Sequence, residues 1–297
     1  MSIISLERVH RSFTAAEALR GVDLAVDQPQ VIGLVGRNGA GKSTLLRLLP
    51  PLLQPSAGTV RVFDQDPWLA PERLRQRIGY VPDKDQFPSG MRGLDLLQLC
   101  AAVYTTWDAA LVQRFATRMQ LDLKSSFAKL SRGQQRQVSL LCAIGHRPQL
   151  LILDEPAGNL DPSVRRDFLS VLIELLGDAG STVLLATHLF PDLERVAERI
   201  VILHHGTVIA DGSTEAVTRS VCRLEAVGTP EVLASLRAWE LCLHDEPGSG
   251  CQVLVMACRE ERARDLLAER FGPSVTVRAV QSLGLEDVFI YRTGVGA

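Results

Sequence analysis

Residues Gly36 to Thr44 (GRNGAGKST) carry glycines, a lysine and a hydroxyl at the spacing of a phosphate-binding loop. The apolar run before this segment, residues 31–35, predicts a buried strand, and the leucines after it predict a helix. Glycines lack a Cβ, so the backbone can wrap closely round a phosphate chain with its N–H groups facing the negative charge. We expect Lys42 to reach the β- and γ-phosphates and the Ser43 hydroxyl to ligate Mg²⁺.

The alternative for this segment is a glycine-rich turn with an incidental lysine. Lysine occurs at only four positions in a chain otherwise served by arginine, so general basicity does not explain Lys42. The residues expected to surround the nucleotide in this loop are Gly36, Arg37, Asn38, Gly39, Ala40, Gly41, Lys42, Ser43 and Thr44.

Residues 149–156 (QLLILDEP) predict a strand that is buried on both faces and ends in two acids. In an open α/β sheet ligands bind at the carboxyl ends of the strands, where Asp154 and Glu155 are placed. Adjacent strand residues point to opposite faces, so the two acids are not expected to share one role. Asp154 is the candidate for holding Mg²⁺ through water, and Glu155 for orienting and deprotonating an attacking water. A solvated acidic turn is the alternative, and the phosphate-type loop disfavours it.

The segment LSRGQ, Leu130 to Gln134, lies just upstream of the acidic strand. With it, about the first three quarters of the chain resembles the ATP-binding cassette (ABC) ATPases. Phosphate loops occur in many protein classes, whereas LSxGQ before LLILDEP is particular to this family. The resemblance implies that ATP and Mg²⁺ are the cofactors, and that Ser131, Gly133 and Gln134 contact the γ-phosphate held by another subunit. Each site would then need two chains, either a homodimer or a pair with a homologous ATPase subunit.

Three further positions match elements of the family. Phe13 matches an aromatic residue that stacks on adenine, and an ordinary core phenylalanine is the alternative. His188, in LLATH, matches the switch histidine that touches the γ-phosphate and helps to hold the catalytic geometry. Asp161, in GNLDPS, matches the loop that crosses the dimer interface, although it could equally be only an N-cap or turn residue.

Two positions depart from the family pattern. Arg132 stands in place of the first glycine of LSGGQ, and because Gly133 is retained we expect a working signature loop with altered surface charge. Asp83 follows IGYVP where the family has glutamine or glutamate, and its shorter carboxylate can approach Mg²⁺ or its water. Slower turnover or a larger closing motion would follow. A local shift that gives this role to Gln86 is the alternative.

The elements that position these residues are expected to form an α/β fold, a P-loop NTPase core of the ABC type over residues 1–220. Its strand segments are VRVFD, IGYVP, LLILD, TVLLAT and RIVILHHGTVIADG. Pro50 and Pro51 should stop the helix after the loop near Leu49. Apolar residues at helical spacing predict a helical signature subdomain over about 84–146.

Residues 221–297 predict a small C-terminal α+β domain. The segments CRLEAV, PEVLASL, AWELCLH, QVLVMA, RARDLLAERF and SVTVRAV give the order β-α-β-β-α-β, with DEPGSG as the central turn, and suggest a ferredoxin-like plait. The closing segment LGLEDVFIYRTG resembles the end of ABC-2-type exporter ATPases and of sodium- or drug-efflux ATPase subunits. Dimer support, regulation and simple stabilisation stay open as roles for this domain.

Composition limits the class of protein. A formal net charge of −2 over 297 residues gives no sign of general nucleic-acid binding. No apolar stretch approaches the roughly 20 residues that cross a bilayer, and the first residues lack a signal-peptide pattern. We therefore expect a cytoplasmic protein, held at the inner face of the cell membrane by a partner. Six cysteines without a CxxC pair indicate a reducing compartment and no metal cluster.

Taken together, the resemblance favours the ATPase subunit of an ABC exporter that dimerises on ATP and drives a separate transmembrane permease. Water would attack the γ-phosphate in line, with Lys42, Glu155 and His188 as catalytic residues. One alternative is a soluble ABC ATPase acting on ribosomes or DNA, although the chain has one cassette and no long coiled-coil insert. Another is a weakly hydrolysing regulatory switch, for which Asp83 and Arg132 give slight support.

Overall fold

The computed structural model describes residues 2–14, 16–84, 87–158, 160, 165, 169–170, 173–174, 180–248 and 251–294. The chain forms two compact units, Met1–Val208 and Ile209–Ala297. Among the described residues, no helix combines the length and the apolar character that crossing a membrane requires.

The larger unit is built on a six-stranded sheet. Its strands are β3 (Val31–Val35), β5 (Ile78–Val81), β6 (Leu150–Asp154), β7 (Thr182–Ala186), β8 (Arg199–His204) and β9 (Thr207–Ser213). They lie in the order β5-β6-β7-β3-β8-β9, and the neighbours from β5 to β8 pair in parallel. Residues of β3, β6 and β7 are buried throughout, as expected for parallel strands covered on both faces.

The first strands of the chain form a separate antiparallel sheet in the order β2-β1-β4. Its strands are β1 (Ile4–Phe13), β2 (Ala16–Val26) and β4 (Ala57–Val62). The segment VRVFD, predicted as a strand of the nucleotide-binding core, belongs to this sheet and its strand ends at Val62. Phe63 and Asp64 have positive φ angles of 54° and 61°, so the chain turns there and cannot continue as a strand.

The α-helices of the larger unit whose full extent the structure describes are α1 (Lys42–Leu48), α2 (Pro71–Arg75), α3 (Gly93–Val103), α4 (Ala109–Arg118), α5 (Arg132–Ile144) and α6 (Phe190–Val196). Helix α1 ends at Leu48, with Leu49 as its C-cap and two prolines following, which confirms the predicted stop. Helices α3, α4 and α5 occupy the insert between β5 and β6, and α3 and α4 both pack against α5.

The parallel register brings three strand ends side by side. Asp154 at the end of β6 is paired with Ala186 at the end of β7, and Leu34 of β3 is paired with the same residue. The segments that leave β3, β6 and β7 therefore start from one edge of the sheet, which is the edge where ligands bind in such folds.

The smaller unit has an antiparallel sheet in the order β11-β12-β10-β13. Its elements are α7 (Thr214–Thr218), β10 (Cys222–Gly228), α8 (Pro230–Arg237), β11 (Cys242–Gly248), β12 (Cys251–Met256), α9 (Glu260–Phe271), β13 (Val275–Ser282) and α10 (Leu285–Thr293). From β10 to β13 the order is β-α-β-β-α-β, as predicted.

The central hairpin of this sheet differs from the prediction in its position. Strand β11 was expected to begin at Ala238 and to turn at Asp245, but it begins at Cys242 and extends to Gly248. Asp245 is paired with Leu254 and Gly248 with Cys251, so the ladder satisfies backbone groups that the predicted turn would leave exposed.

Candidate functional site

The phosphate-type loop is a backbone cradle that side chains would fill. A Cβ at Gly36 would lie 2.5 Å from the carbonyl oxygen of Leu203, and a Cβ at Gly41 would lie 2.5 Å from that of Ala18. Gly39 and Gly41 have φ angles of 82° and 107°, which favour glycine. Gly36 and Gly41 therefore require glycine, and the open backbone around Gly39 fits an anionic group.

All nine predicted loop residues lie in this one turn between β3 and α1 or in the first turn of α1. Three are exposed, namely Arg37, Asn38 and Gly39. Two are half-buried, namely Ser43 and Thr44, and the other four are buried, namely Gly36, Ala40, Gly41 and Lys42.

The Lys42 ammonium lies inside the loop. Its Nζ donates to the carbonyl oxygen of Gly36 at 2.6 Å and to that of Arg37 at 3.3 Å. Burial lowers the pKa of Lys42, while the carboxylates of Glu155 and Asp154 oppose that shift. The loop and the two acids thus share one cation, which is placed to meet negative charge entering the cradle.

Glu155 follows directly after β6 and lies between the other two predicted catalytic residues. Its Oε1 is 4.0 Å from Nζ of Lys42, and its Oε2 is 2.9 Å from Nδ1 of His188. The Glu155 side chain is 16% exposed and that of His188 is 61% exposed, so water reaches this pair from the histidine side. Glu155 also has a φ of 48°, and strained residues of this kind cluster at functional sites.

Asp154 is a fully buried carboxylate close to the Ser43 hydroxyl. Within the described part of the chain, neither of its side-chain oxygens has a partner in hydrogen-bond geometry. Burial raises the pKa of Asp154, the nearby Ser43 hydroxyl partly offsets this, and the negative charges of Asp83 and Glu155 raise it further. An unpartnered buried carboxylate beside a hydroxyl fits a divalent cation that prefers oxygen ligands.

The described residues hold no cluster of three or more histidine, cysteine, aspartate or glutamate side chains around a common metal position. Mg²⁺ at Asp154 and Ser43 would therefore take its remaining ligands from phosphate and water, which is its usual mode of binding. Asp83 is exposed and lies near enough for its negative charge to raise the pKa of Asp154.

Arg136 is a site residue that the sequence reasoning missed. Its guanidinium is buried, and it donates to the carbonyl oxygens of Asp154 at 2.7 Å, Glu155 at 3.1 Å and Pro156 at 3.2 Å, and to that of Pro82. One side chain of α5 therefore fixes both the end of β6 and Pro82, the residue before Asp83. Arg136 stands in the polar run QQRQ, which reads as a solvated helix face, so only its position beside the signature segment gave any signal.

The signature segment, LSRGQ, leads into the first turn of α5. Ser131 is the N-cap: its Oγ accepts from the backbone N–H of Gln134 at 3.2 Å, while Oε1 of Gln134 accepts from the N–H of Ser131 at 3.0 Å. Ser131 and Arg132 are exposed, and Gly133 is half-buried in the first helical turn. Ser131 and Gln134 thus bond to each other, and not to the residues around Lys42.

Phe13 ends β1 with its ring 48% exposed, which excludes the core alternative for this residue. The guanidinium carbon of Arg11 lies 4.7 Å from the ring centroid. Asp161 and Gln86, the predicted interface residue and the alternative to Asp83, lie outside the described residues.

Comparisons with known proteins agree with this arrangement. A family model described as ABC transporter matches residues 19–158. The ABC transporter ATP-binding protein YtrB of Bacillus subtilis is 25% identical over 292 residues, covering 98% of both chains. The daunorubicin/doxorubicin resistance ATP-binding protein DrrA of Streptomyces peucetius is 34% identical over 217 residues, 70% of this chain and 64% of that protein.

The methionine import ATP-binding protein MetN of Brucella abortus is 31% identical over 222 residues, 71% of this chain and 59% of its own. A solved structure of an ATP-binding subunit of an ABC transporter superposes with a TM-score of 0.67 at 29% identity, covering 73% of this chain and 92% of that one.

Proposed function

The chain belongs to the ABC transporter family as an ATP-binding subunit, and we propose that it powers an exporter by driving a separate transmembrane permease. Members of this family bind and hydrolyse ATP. The observation that carries hydrolysis at this site is the Glu155 carboxylate, held between Lys42 and His188 and next to the buried Asp154.

In the proposed reaction a water molecule attacks the γ-phosphate in line. Glu155 orients the water and takes its proton, and His188 keeps the carboxylate in place through the contact at Nδ1. Lys42 leaves its loop carbonyls for the phosphate oxygens and stabilises the charge that develops on them. Mg²⁺, when bound at Ser43 and Asp154, would neutralise phosphate charge, and the exposed Asp83 can approach its water.

The complete site is proposed to need a second chain. Ser131, Gly133 and Gln134 lie at the start of α5, and Ser131 is exposed and therefore accessible to another subunit. A helix N-terminus of this kind offers N–H groups to an anion, so it suits the γ-phosphate held by a partner. A symmetric dimer, or a pair with a homologous subunit, would place two such sites.

The permease is proposed to dock against the insert. A cavity of about 330 Å³ opens between β5, α3 and α5, and its lining is mainly apolar and aromatic, including Tyr80, Tyr104 and Pro82. Leu52 also lines this cavity and is 54% exposed, so part of the apolar lining faces solvent. Since Pro82 also bonds to Arg136, a partner seated here would act on the residues that hold Glu155.

Export is the direction we propose for the transport. The similarity to a protein named for drug resistance and the closing segment, Leu283 to Gly294, support it. The similarity to an import protein has a slightly lower identity, 31% against 34%, over a similar share of this chain. Uptake of the substrate by inside-out vesicles on addition of ATP would support export, and its uptake only by right-side-out vesicles would contradict it.

The transporter assignment is tested by affinity capture from gently solubilised membranes with ATP and Mg²⁺. Glu155→Gln serves as bait because slow turnover should hold the dimer closed, and Lys42→Ala is the matched control with impaired phosphate contact. A polytopic membrane protein that co-purifies with the first bait and is reduced with the second supports the proposal. Ribosomal proteins, DNA or the absence of any partner would instead favour the soluble or regulatory alternatives.

A further inference from the structure

Two cysteines of the smaller unit lie in contact and take no part in the nucleotide chemistry. Cys222 is the first residue of β10, and Cys258 lies in the bend between β12 and α9. Their sulfur atoms are 3.7 Å apart and both thiols are free. No other pair of cysteine sulfurs in the described smaller unit is bonded in this way, and in the larger unit Cys100 and Cys142 also share a side-chain hydrogen bond.

The sheet register fixes the backbones on which these thiols stand. Cys222 is paired with Met256 across the antiparallel β10–β12 ladder, and Cys258 follows Met256 by two residues. Cys258 lies beyond the end of β12, so its side chain can rotate without breaking a ladder hydrogen bond. A disulfide requires the sulfur atoms to approach from 3.7 Å to about 2.0 Å, which rotation about the side-chain bonds can supply.

The two thiols differ in access and in acidity. Cys222 is fully buried, whereas Cys258 is partly exposed. The hydrogen bond between the two thiols lowers the pKa of Cys258, burial opposes this shift, and the positive charge of Arg262 lowers the pKa further. The same contact, together with burial, raises the pKa of Cys222. Cys258 is therefore the thiol that an oxidant reaches first and in its more reactive form.

We propose that Cys222 and Cys258 form a redox-active pair that a hydroperoxide converts into an intramolecular disulfide. Cys258 receives the oxidant and Cys222 resolves the product. The modification lies in the smaller unit, and it is independent of the function proposed for the nucleotide site.

The reaction has two steps. The Cys258 thiolate attacks one oxygen of the hydroperoxide, so that a sulfur–oxygen bond forms, the O–O bond breaks and an alcohol or water leaves after protonation. The Cys222 thiol then attacks the sulfenic sulfur of Cys258; the S–S bond forms, the S–O bond breaks, and the Cys222 proton leaves in the water released. Sulfur is oxidised by two electrons in all, and a dithiol reductant reverses the change.

The disulfide would join two positions that are 36 residues apart in the sequence. It would tie the start of β10 to the segment that leads into α9, and so close a loop that contains α8 and the β11–β12 hairpin. Because a crosslink restricts the unfolded chain, the unfolding temperature of the oxidised protein should exceed that of the reduced protein.

The test uses the full-length protein, reduced, freed of reductant and treated with hydrogen peroxide. Intact mass spectrometry should show the loss of two hydrogens, thiol titration should fall from six to four, and peptide mapping should give a Cys222–Cys258 crosslink. The unfolding temperature should rise and return with dithiothreitol. Cys251→Ser, which removes another half-buried thiol of the same unit, is the matched control and should behave as the wild type.

Two variants separate the roles of the pair. Cys258→Ser changes a partly exposed residue and should abolish the crosslink with the fold retained. Cys222→Ala keeps the buried position apolar, and it should accumulate a Cys258 sulfenic acid that a cyclic 1,3-dione traps. A crosslink between other cysteines, or peroxide-treated wild type with Cys222 and Cys258 still reduced or with Cys258 converted to sulfinic acid, would overturn the proposal.

Discussion

The phosphate-type loop and the end of β6 are the two halves of the proposed nucleotide site, and they are held by different means. The loop is bonded mainly within its own sequence, as from Lys42 to the carbonyl of Gly36, and the turn after β8 donates one further hydrogen bond to it. The strand end depends on Arg136, which belongs to another element and binds the carbonyls of Asp154 and Glu155. A motif that holds itself can be recognised from adjacent residues, whereas a motif held by a distant buried cation cannot.

The largest combined effect on turnover and ATP binding is expected from breaking the loop half with Lys42→Ala. The variant loses the cation that meets the phosphates, so ATP turnover should fall by roughly 10²–10³-fold and ATP binding should weaken. Steady-state hydrolysis and binding of a fluorescent ATP analogue measure the two quantities. Lys84→Ala, at an exposed lysine near Asp83, is the control. Unchanged turnover in Lys42→Ala would show that the loop does not bind the transferred phosphate.

Breaking the other half with Arg136→Gln should separate turnover from binding. Four carbonyl groups lose their charged donor, which should lower the free energy of unfolding by roughly 1–3 kcal/mol. Displacement of Glu155 should reduce turnover about 10²-fold, while ATP still binds to the intact loop.

Arg73→Gln, at an exposed arginine of α2, is the control for Arg136→Gln, and Arg136→Lys should recover part of the turnover. Assays are run well below the unfolding temperature of each variant. If turnover and ATP binding fell together by the same factor, Arg136 would have a general structural role and not one specific to the strand end.

Asp154→Asn tests the strand-end half in a second way, because it removes the buried charge. The pKa of Asp154 is raised in the folded state, so wild-type stability falls as pH rises through the unfolded and then the folded pKa. Without nucleotide at neutral pH, the variant should therefore be more stable, by roughly 1–3 kcal/mol. Denaturant titrations at acidic and neutral pH measure this, and a less stable variant at neutral pH would contradict it. With ATP and Mg²⁺ we expect the wild type to be the more stable of the two, because only the wild type gains the metal contact.

The smallest effect is expected from Phe13→Ala. Loss of an exposed stacking surface should weaken ATP binding by about 0.5–1.5 kcal/mol, which is roughly 2- to 10-fold in Kd, without changing turnover at saturation. Leu69→Ala, at an apolar side chain that is 84% exposed, is the control. Equal Kd values for Phe13→Ala and wild type would show that Phe13 does not stack on the bound nucleotide.

Much of the fold follows from local sequence patterns. The strand before Gly36 is apolar throughout, the strand before Glu155 is apolar up to Asp154, and Pro50 and Pro51 end α1 where proline chemistry requires. The position of β11 was wrong by four residues at its start, because its limits depend on pairing with β12 and not on its own composition.

The candidate site was predictable where chemistry and spacing coincide in one segment, as at Lys42 and Glu155. The contact between Glu155 and His188 depends on the register of β6 and β7, which no single segment encodes. Arg136 is the extreme case: four of its acceptors in the described part of the chain are backbone carbonyls, which are present at every residue and so give no signal in the sequence.

Glu155 is proposed to orient the attacking water and to take its proton. The most direct measurement therefore compares ATP hydrolysis and ATP retention in Glu155→Gln and in the wild type. The amide keeps the size of the side chain but cannot take a proton. We predict that turnover falls by about 10²–10⁴-fold while ATP remains bound. Full residual hydrolysis in Glu155→Gln would contradict the assignment of Glu155 as the base.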